Sequence, residues 1–182
     1  MIHRTEIPFR ERTLVFIDLE TTGLSPFVHD IIEIAYLVVH HQTLKIEKEF
    51  TAKIAPAHLE RADADALTLV GYTEEEWKQA LSLSDVLAQL STDASKAIPV
   101  GHVVHFDLMF LWKAYADCGL EYPLDYHYLD TVSLAYAKLQ ENAPTHMGLT
   151  TLCKIFQIKR ERAHRAMDDI KATYELFKKL VS

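Results

Sequence analysis

The chain has 182 residues, of which 49% are hydrophobic and 25% charged, values typical of a globular domain large enough to bury a core. A net charge of −7 argues against a protein that grips long nucleic acid through its phosphates. No hydrophobic run approaches the ~20 residues of a membrane span, and the N-terminus lacks the hydrophobic region of a secretory signal. Cys118 and Cys153 have no metal-type spacing, so we expect a reduced, cytoplasmic protein. The hydrophobic runs predict no membrane contact, and the length predicts one domain over residues 1–182.

Three strands are predicted first along the chain. TLVFIDLE (13–20) is an apolar run typical of a buried strand, and Gly23 and Pro26 mark the turn that follows. IIEIAYLVVHH (31–41) and TLKIEKEFTAKI (43–54) predict two more strands. Their separation favours a hairpin, although no glycine marks its turn.

Helices and two short strands follow. The predicted segments are ADADALTLV ending at Gly71, TEEEWKQA beginning at Thr73, SLSDVLAQLSTDA, the strand AIPVGH, HFDLMFLWKAYADCG, the strand-to-helix segment HYLDTVSLAYAKL, GLTTLCKIF and HRAMDDIKATYELFKKLVS. Three antiparallel strands followed by parallel additions predict an α/β fold, a mixed sheet with helices on its faces.

Asp18 and Glu20 interrupt the first predicted strand. Side chains alternate along a strand, so both acids point to the same face, ~6–7 Å apart. Two like charges on one face of an apolar segment are costly. Either the acids lie at a solvated edge or a cation lies between them.

Two further acids lie in apolar helical segments. Asp107 is near the start of a predicted helix, where the helix dipole alone accounts for an acid. In the last helix, Asp168 shares a face with Lys171 and is expected in solvent, whereas Asp169 aligns with the flank of the apolar stripe. Helical periodicity therefore selects Asp169 as the inward acid.

Carboxylates from two strand positions and two helices form an oxygen-rich cage suited to Mg²⁺ or Mn²⁺. Two such ions ~3.5–4 Å apart can hold the attacking and leaving oxygens of a phosphodiester. His164 lies five residues before Asp169, ~500° around a regular helix, so we expect it in a loop or first turn. A neutral imidazole there suits proton abstraction from water. The basic run KRERAHR (159–165) is, taken alone, more typical of a solvated surface.

FIDLETTGL, GHVVHFDLMFL and HRAMDD match, in this order, three signature motifs, and DIIEIA (30–35) extends the first. By these motifs the chain resembles the DnaQ-like DEDDh 3′–5′ exonucleases, which include the proofreading subunit of bacterial DNA polymerase III, RNase T and oligoribonuclease. The resemblance runs from about Thr13 to the C-terminus. It implies an RNase H-like fold with a five-stranded mixed sheet.

The resemblance also implies a site. It places the metal ligands for two Mg²⁺ or Mn²⁺ ions at Asp18, Glu20, Asp107 and Asp169, and the general base at His164. By the same analogy the 3′-terminal nucleotide is lined by Thr22, Gly23, Leu24 and Phe106. Thr22 approaches the 3′-hydroxyl, Leu24 wedges against the terminal base, and Phe106 packs beside that nucleotide.

The chain departs from the family pattern at one position of the second motif. The family usually has Asn one residue after the His of GH, where this chain has Val103. That Asn commonly serves the strand end and the substrate backbone. His102 and His105, which flank this position, are interpreted as structural or substrate-facing rather than as metal ligands.

These motifs predict an exonuclease that releases nucleoside 5′-monophosphates from the 3′ end of single-stranded or frayed DNA. DNA is favoured because FIDLETTGL is closer to the polymerase-associated members than to oligoribonuclease, which typically reads DLEMTGL; the alternative is a 3′–5′ exoribonuclease acting on short RNA. A non-catalytic binding module that docks a polymerase is a further alternative, disfavoured because all four acids and His164 are present. Expected partners are single-stranded 3′ ends and a polymerase or other repair or replication protein.

Overall fold

A computed structural model describes residues 6–160 and 165–182. Its five strands are β1 (Leu14–Thr21), β2 (Ile31–Val39), β3 (Ile46–Lys53), β4 (Ile98–Gly101) and β5 (Leu129–Asp130). They form one sheet in the order β3-β2-β1-β4-β5. The β1–β2 and β2–β3 pairs are antiparallel, whereas the β1–β4 and β4–β5 pairs are parallel. The predicted mixed sheet and hairpin are confirmed.

Seven α-helices accompany the sheet within these described residues. They are α1 (Ala64–Val70), α2 (Glu74–Trp77), α3 (Leu83–Asp93), α4 (His105–Asp117), α5 (Thr131–Leu139), α6 (Leu149–Ile155) and α7 (Ala166–Val181), with short 3₁₀ turns at Phe9–Glu11, Leu59–Arg61 and Gln140–Asn142. The Thr73 side chain accepts a hydrogen bond from the Glu76 backbone N–H, and Gly71 ends α1 with φ 69°, as their residue types predict. Within the described part of the chain, no helix combines the length and apolar character needed to cross a bilayer.

Both faces of β1 are covered, which explains why the strand reads as a continuous apolar run. The side chains of Val15, Ile17 and Leu19 belong to the core shared with α3 and α4. Those of Leu14 and Phe16 belong to the core shared with α7. Since side chains alternate, Asp18 and Glu20 continue the face of β1 that α7 covers.

The carboxyl ends of β1 and β4 meet at one edge of the sheet because these two strands are parallel. Helix α4 starts four residues after β4 ends, so its first turn lies at this edge. Helix α7 packs on β1 and β2, and its first turn carries Asp168 and Asp169. Acids that are far apart in the sequence are therefore brought to the same edge.

Candidate active site

Three of the four predicted metal ligands form a compact group. Asp18, Glu20 and Asp169 each offer a carboxylate oxygen, and these oxygens all lie within 4.8 Å of one another. Glu20 is 9% exposed and Asp169 is 6% exposed, while Asp168 is partly exposed. The strand alternation and the helical periodicity thus selected side chains that converge.

Asp107 approaches this group from the opposite side of the sheet. It is buried at the first turn of α4, and its Oδ1 accepts a hydrogen bond from the Leu19 backbone N–H at 3.0 Å. The compact group found among the described residues does not include it. Its charge nevertheless acts on Asp18, so Asp107 lies at the rim of the cluster.

The electrostatics of the cluster show negative charge that the protein compensates only in part, through Arg160 and Arg165. Burial raises the pKa of Asp18 well above its ordinary value, and the neighbouring charges of Asp107, Glu20 and Asp169 raise it further. Burial, with Asp169 and Glu33 nearby, raises the pKa of Glu20 to about 7. Burial also raises the pKa of Asp107, to about 8. Such a site favours a bound cation, which stabilises the charged form of each carboxylate.

These residues fit a divalent metal by the chemistry of their donors. Carboxylate oxygens are the hard ligands that Mg²⁺ and Mn²⁺ prefer, and three of them are already within 4.8 Å of one another. The shifted pKa values of Asp18 and Glu20 follow from the same crowding. The geometry therefore supplies what a metal centre needs.

Arg160 is a part of the site that the sequence did not indicate. Its Nε and one terminal nitrogen donate to the two carboxylate oxygens of Asp169, and its other terminal nitrogen donates to Thr150 Oγ1 at 2.7 Å. The side chain is only 12% exposed. The interpretation of the 159–165 run as solvated surface is thus wrong at Arg160, because a buried carboxylate offers a bidentate partner.

His164, the predicted general base, lies outside the described residues, and its role stays a prediction. The two residues that follow it in the chain have defined surroundings. Arg165 is the N-cap residue of α7, and one of its guanidinium nitrogens lies 3.7 Å from Glu76 Oε2. Ala166 is fully buried, so the helix that carries Asp169 begins in the packed core.

Glu33 is a second residue that the sequence reasoning missed. It lies directly across from Glu20 in the β1–β2 ladder and is 6% exposed. Burial raises its pKa, while the charge of Arg165 and the backbone N–H of Ala166, which hydrogen-bonds its carboxylate, oppose that rise. An acid inside the all-buried strand IIEIAYLVV was the available signal, since it poses the same problem as Asp18.

The loop after β1 contains the predicted nucleotide contacts. Leu24 is 80% exposed, whereas Thr22 is fully buried and its hydroxyl accepts a hydrogen bond from the Asp30 backbone N–H at 2.9 Å. Thr22 therefore stabilises the loop, and its burial gives no support to a direct contact with a 3′-hydroxyl. A Cβ at Gly23 would lie 2.5 Å from both Asp63 Oδ2 and His29 Nε2, so a side chain at this position would make the Asp63 and His29 side chains move.

The other predicted contacts lie around the start of α4. Phe106 is half-buried, with its ring centroid 5.0 Å from that of Phe110. The His102 Nδ1 is 2.9 Å from Thr131 Oγ1, which agrees with a structural interpretation, and His105 is exposed. Val103 has φ 62°, a left-handed conformation that is rare for a β-branched residue.

Comparison with known proteins agrees with the motifs and the geometry. The RNase T exonuclease family model matches residues 15–177. The chain belongs to the exonuclease family. The predicted resemblance is confirmed, and the enzyme class predicted from the motifs is that of the family.

Among curated relatives of this exonuclease chain, the DNA polymerase III PolC-type proteins of Listeria welshimeri and Thermotoga petrophila are 34% and 30% identical over 175 and 177 residues. These matches cover 96% and 95% of the chain but 12% of each relative. The chain thus spans about an eighth of the length of these proteins.

Solved structures confirm the predicted RNase H-like exonuclease fold. E. coli Exonuclease I in complex with a dT13 oligonucleotide superposes with a TM-score of 0.80 at 19% identity, covering 94% of this chain and 41% of that one. The nuclease domain of 3′hExo, a DEDDh family member bound to rAMP, gives a TM-score of 0.74 at 20% identity and covers 94% and 92%. At these identities the similarity establishes the architecture.

Proposed function

We propose that this domain is a metal-dependent 3′–5′ exonuclease that releases nucleoside 5′-monophosphates from single-stranded or frayed ends, with DNA favoured. The observation that carries the proposal is the trio of half-buried Asp18 and buried Glu20 and Asp169 at an edge of the sheet, next to a loop that presents Leu24 to solvent. Membership of the exonuclease family and the likeness to PolC-type polymerases support it.

Each residue in the proposed mechanism has a separate task. Asp18, Glu20, Asp107 and Asp169 would hold two Mg²⁺ or Mn²⁺ ions, which would supply Lewis-acid stabilisation of the phosphate charge. His164 accepts a proton from the water that attacks the terminal phosphorus. Leu24 and Phe106 position the terminal nucleotide so that the attack is in line with the departing 3′-oxygen.

A second candidate substrate is short RNA. The support for it is the similarity to the 3′hExo nuclease domain, which was solved with rAMP and is covered almost completely. We favour DNA because the curated relatives are DNA polymerases. Rates on single-stranded DNA, mismatched duplex ends and short RNA of equal sequence separate the two, and a preference for RNA would reverse our assignment.

The cellular setting is likewise proposed. The PolC-type relatives suggest that the domain works with a polymerase or another replication or repair protein. The free thiols of Cys118 and Cys153 agree with a reduced cytoplasmic compartment. One sheet with one set of flanking helices supports a single domain over residues 1–182.

Adjacent acids on α7 provide a matched test of the metal site. Asp169→Asn removes a charge from the acidic trio, so we expect turnover of a 5′-labelled oligonucleotide to fall by about a hundredfold or more. Asp168→Asn removes the same charge one residue away, on the partly exposed face, and is expected to keep wild-type turnover. EDTA should abolish activity, and Mg²⁺ or Mn²⁺ should restore it.

Both variants should retain the wild-type circular dichroism spectrum. Full activity of the Asp169 variant, or activity that survives EDTA, would refute the proposed site.

A further inference from the structure

The loop between β1 and β2 is held firmly by its own hydrogen bonds. Thr22 and Asp30 are joined by two bonds, from the Thr22 N–H to the Asp30 carbonyl and from the Asp30 N–H to the Thr22 hydroxyl, each 2.9 Å. His29 Nδ1 accepts from the Ser25 N–H at 3.0 Å. Asp63 donates its N–H to the Thr22 carbonyl at 2.8 Å, which ties the loop to the start of α1.

This well-fixed loop presents large apolar side chains to solvent. Phe27 and Leu24 are each 80% exposed, and Val28 is 44% exposed. The loop lacks the freedom to bury them by collapsing, because the backbone groups at both of its ends are already paired. Exposed apolar side chains grouped on a rigid segment are typical of a surface that contacts a ligand.

A groove lies between this loop and α4, the helix whose first turn contains Asp107. Pro26 and His29 line it on the loop side, and Phe110, Lys113 and Ala114 line it on the helix side. Phe110 is one turn beyond Asp107 on the same helix. The groove also contains Asp30 and Asp117, and the ammonium of Lys113 pairs with Asp117.

Charge decides which part of a nucleic acid this surface can bind. The chain carries a net charge of −7, and the acidic cluster adds to the local repulsion of phosphates. Counterion release therefore contributes little to affinity. Stacking of bases on aromatic side chains does not depend on net charge and tolerates any sequence.

We propose that Phe27 is a stacking platform for the base of the nucleotide that precedes the 3′-terminal one. This inference rests on the proposed function, in which Leu24 contacts the terminal base, and it extends the binding surface along the same loop. The strand then leaves the site beside α4. Affinity for a single strand thus comes from bases held on the rim of the groove.

Two ligands separate the two positions. Thymidine 5′-monophosphate fills the terminal position alone, and a phosphorothioate-linked thymidine dinucleotide, checked for integrity after titration, fills both. In Phe27→Ala we expect the Kd of the dinucleotide to rise about tenfold, a stacking loss, and the Kd of the mononucleotide to stay within about twofold. Phe27→Trp should restore dinucleotide binding, whereas Phe27→Leu should not, because leucine lacks an aromatic face.

Tyr136→Ala, which removes a 64% exposed aromatic side chain from α5, serves as the control and should bind both ligands like the wild type. An unchanged dinucleotide Kd in Phe27→Ala, or an equal loss for both ligands, overturns the inference. Wild-type protein that binds the dinucleotide but does not shorten oligonucleotides in Mg²⁺ overturns the catalytic proposal and leaves this inference standing. Wild-type protein that binds neither ligand overturns this inference as well.

Discussion

Val103, next to the candidate site, has an unfavourable backbone conformation. Its φ of 62° is left-handed, which costs a residue with a Cβ roughly 1–2 kcal/mol. The family usually has Asn at this position, and Asn adopts the left-handed region much more readily than valine does. The backbone is kept there because the next residue, Val104, is buried and donates its N–H to Asp130 Oδ2 at 2.7 Å.

Val103→Asn should therefore stabilise the protein. The side chain is 40% exposed, so little packing is lost, and relief of the backbone strain should raise the free energy of unfolding by about 1 kcal/mol. For a chain of this length the melting temperature should increase by about 2–4 °C. Val181→Asn, which changes a 50% exposed valine at the end of α7, should not raise it. An unchanged or lower melting temperature for Val103→Asn would contradict this account.

If Asp169 binds metal as proposed, we expect Arg160 to compete for it. The guanidinium donates to both oxygens of that carboxylate, which leaves fewer lone pairs and less negative charge for a divalent ion. Without metal the same contact stabilises the fold, because it pairs a buried charge. One residue therefore has opposite effects on the two forms of the protein.

Arg160→Gln should separate those effects. We expect a lower melting temperature in EDTA and about tenfold tighter Mn²⁺ binding, measured by titration calorimetry or electron paramagnetic resonance. Arg165→Gln, which removes a cation that pairs with Glu76, should leave the Mn²⁺ affinity closer to wild type. Weaker Mn²⁺ binding in the Arg160 variant would show that the guanidinium supports the metal site.

The junction between β4 and α4 depends on a close approach of two segments. A Cβ at Gly101 would lie 2.8 Å from Val104 Cγ2 and 3.3 Å from the Ile17 carbonyl oxygen. Val104 is fully buried and precedes the turn that carries Asp107. The spacing between the sheet edge and the helix is thus set by the absence of a side chain.

Gly101→Ala should disturb both stability and the site. We expect a loss of about 1–3 kcal/mol in the free energy of unfolding, measured by urea denaturation, because the crowding forces Val104 and the backbone to shift. The shift should also displace Asp107 and reduce turnover. Gly148→Ala is the matched control, since nothing lies within 4 Å of its Cβ position. Equal stability of the two variants would show that the junction is not tightly packed.

The charge of the site makes the stability of the whole domain depend on pH and on metal. Burial raises the pKa of Glu20 from its ordinary 4.5 to about 7. Between these two pH values the folded state binds a proton that the unfolded state has already lost. Without metal, stability therefore falls as the pH rises from 4.5 towards 7, by about 3 kcal/mol for this group at most. Asp18 and Asp107, whose pKa values are also raised by burial, act in the same direction.

Thermal melting in EDTA should accordingly give a higher melting temperature at about pH 5.5 than at about pH 8. Mn²⁺ should reduce that difference, because it stabilises the charged carboxylates and binds best where they are deprotonated. In Asp169→Asn the dependence on pH should be weaker. A wild-type melting temperature that rises with pH in EDTA would contradict the picture of uncompensated acids.

The fold and most of the candidate site were accessible from local patterns. Strand alternation paired Asp18 with Glu20, and helical periodicity chose Asp169 over Asp168, because both patterns fix the direction of a side chain relative to its own element. The order of the elements predicted the mixed sheet. The three motifs supplied the family, which no single element could have indicated.

Only the tertiary structure determined the contacts between elements that are distant in the sequence. The pairing of Arg160 with Asp169, the position of Glu33 across from Glu20, and the burial of Thr22 under Asp30 and Asp63 all depend on how the loops pack. A charge or hydroxyl in a sequence carries no sign of its partner, because the partner is chosen by distance in space. The sequence by itself determined that Asp18, Glu20 and Asp169 point towards one another, and packing determined which other groups they contact.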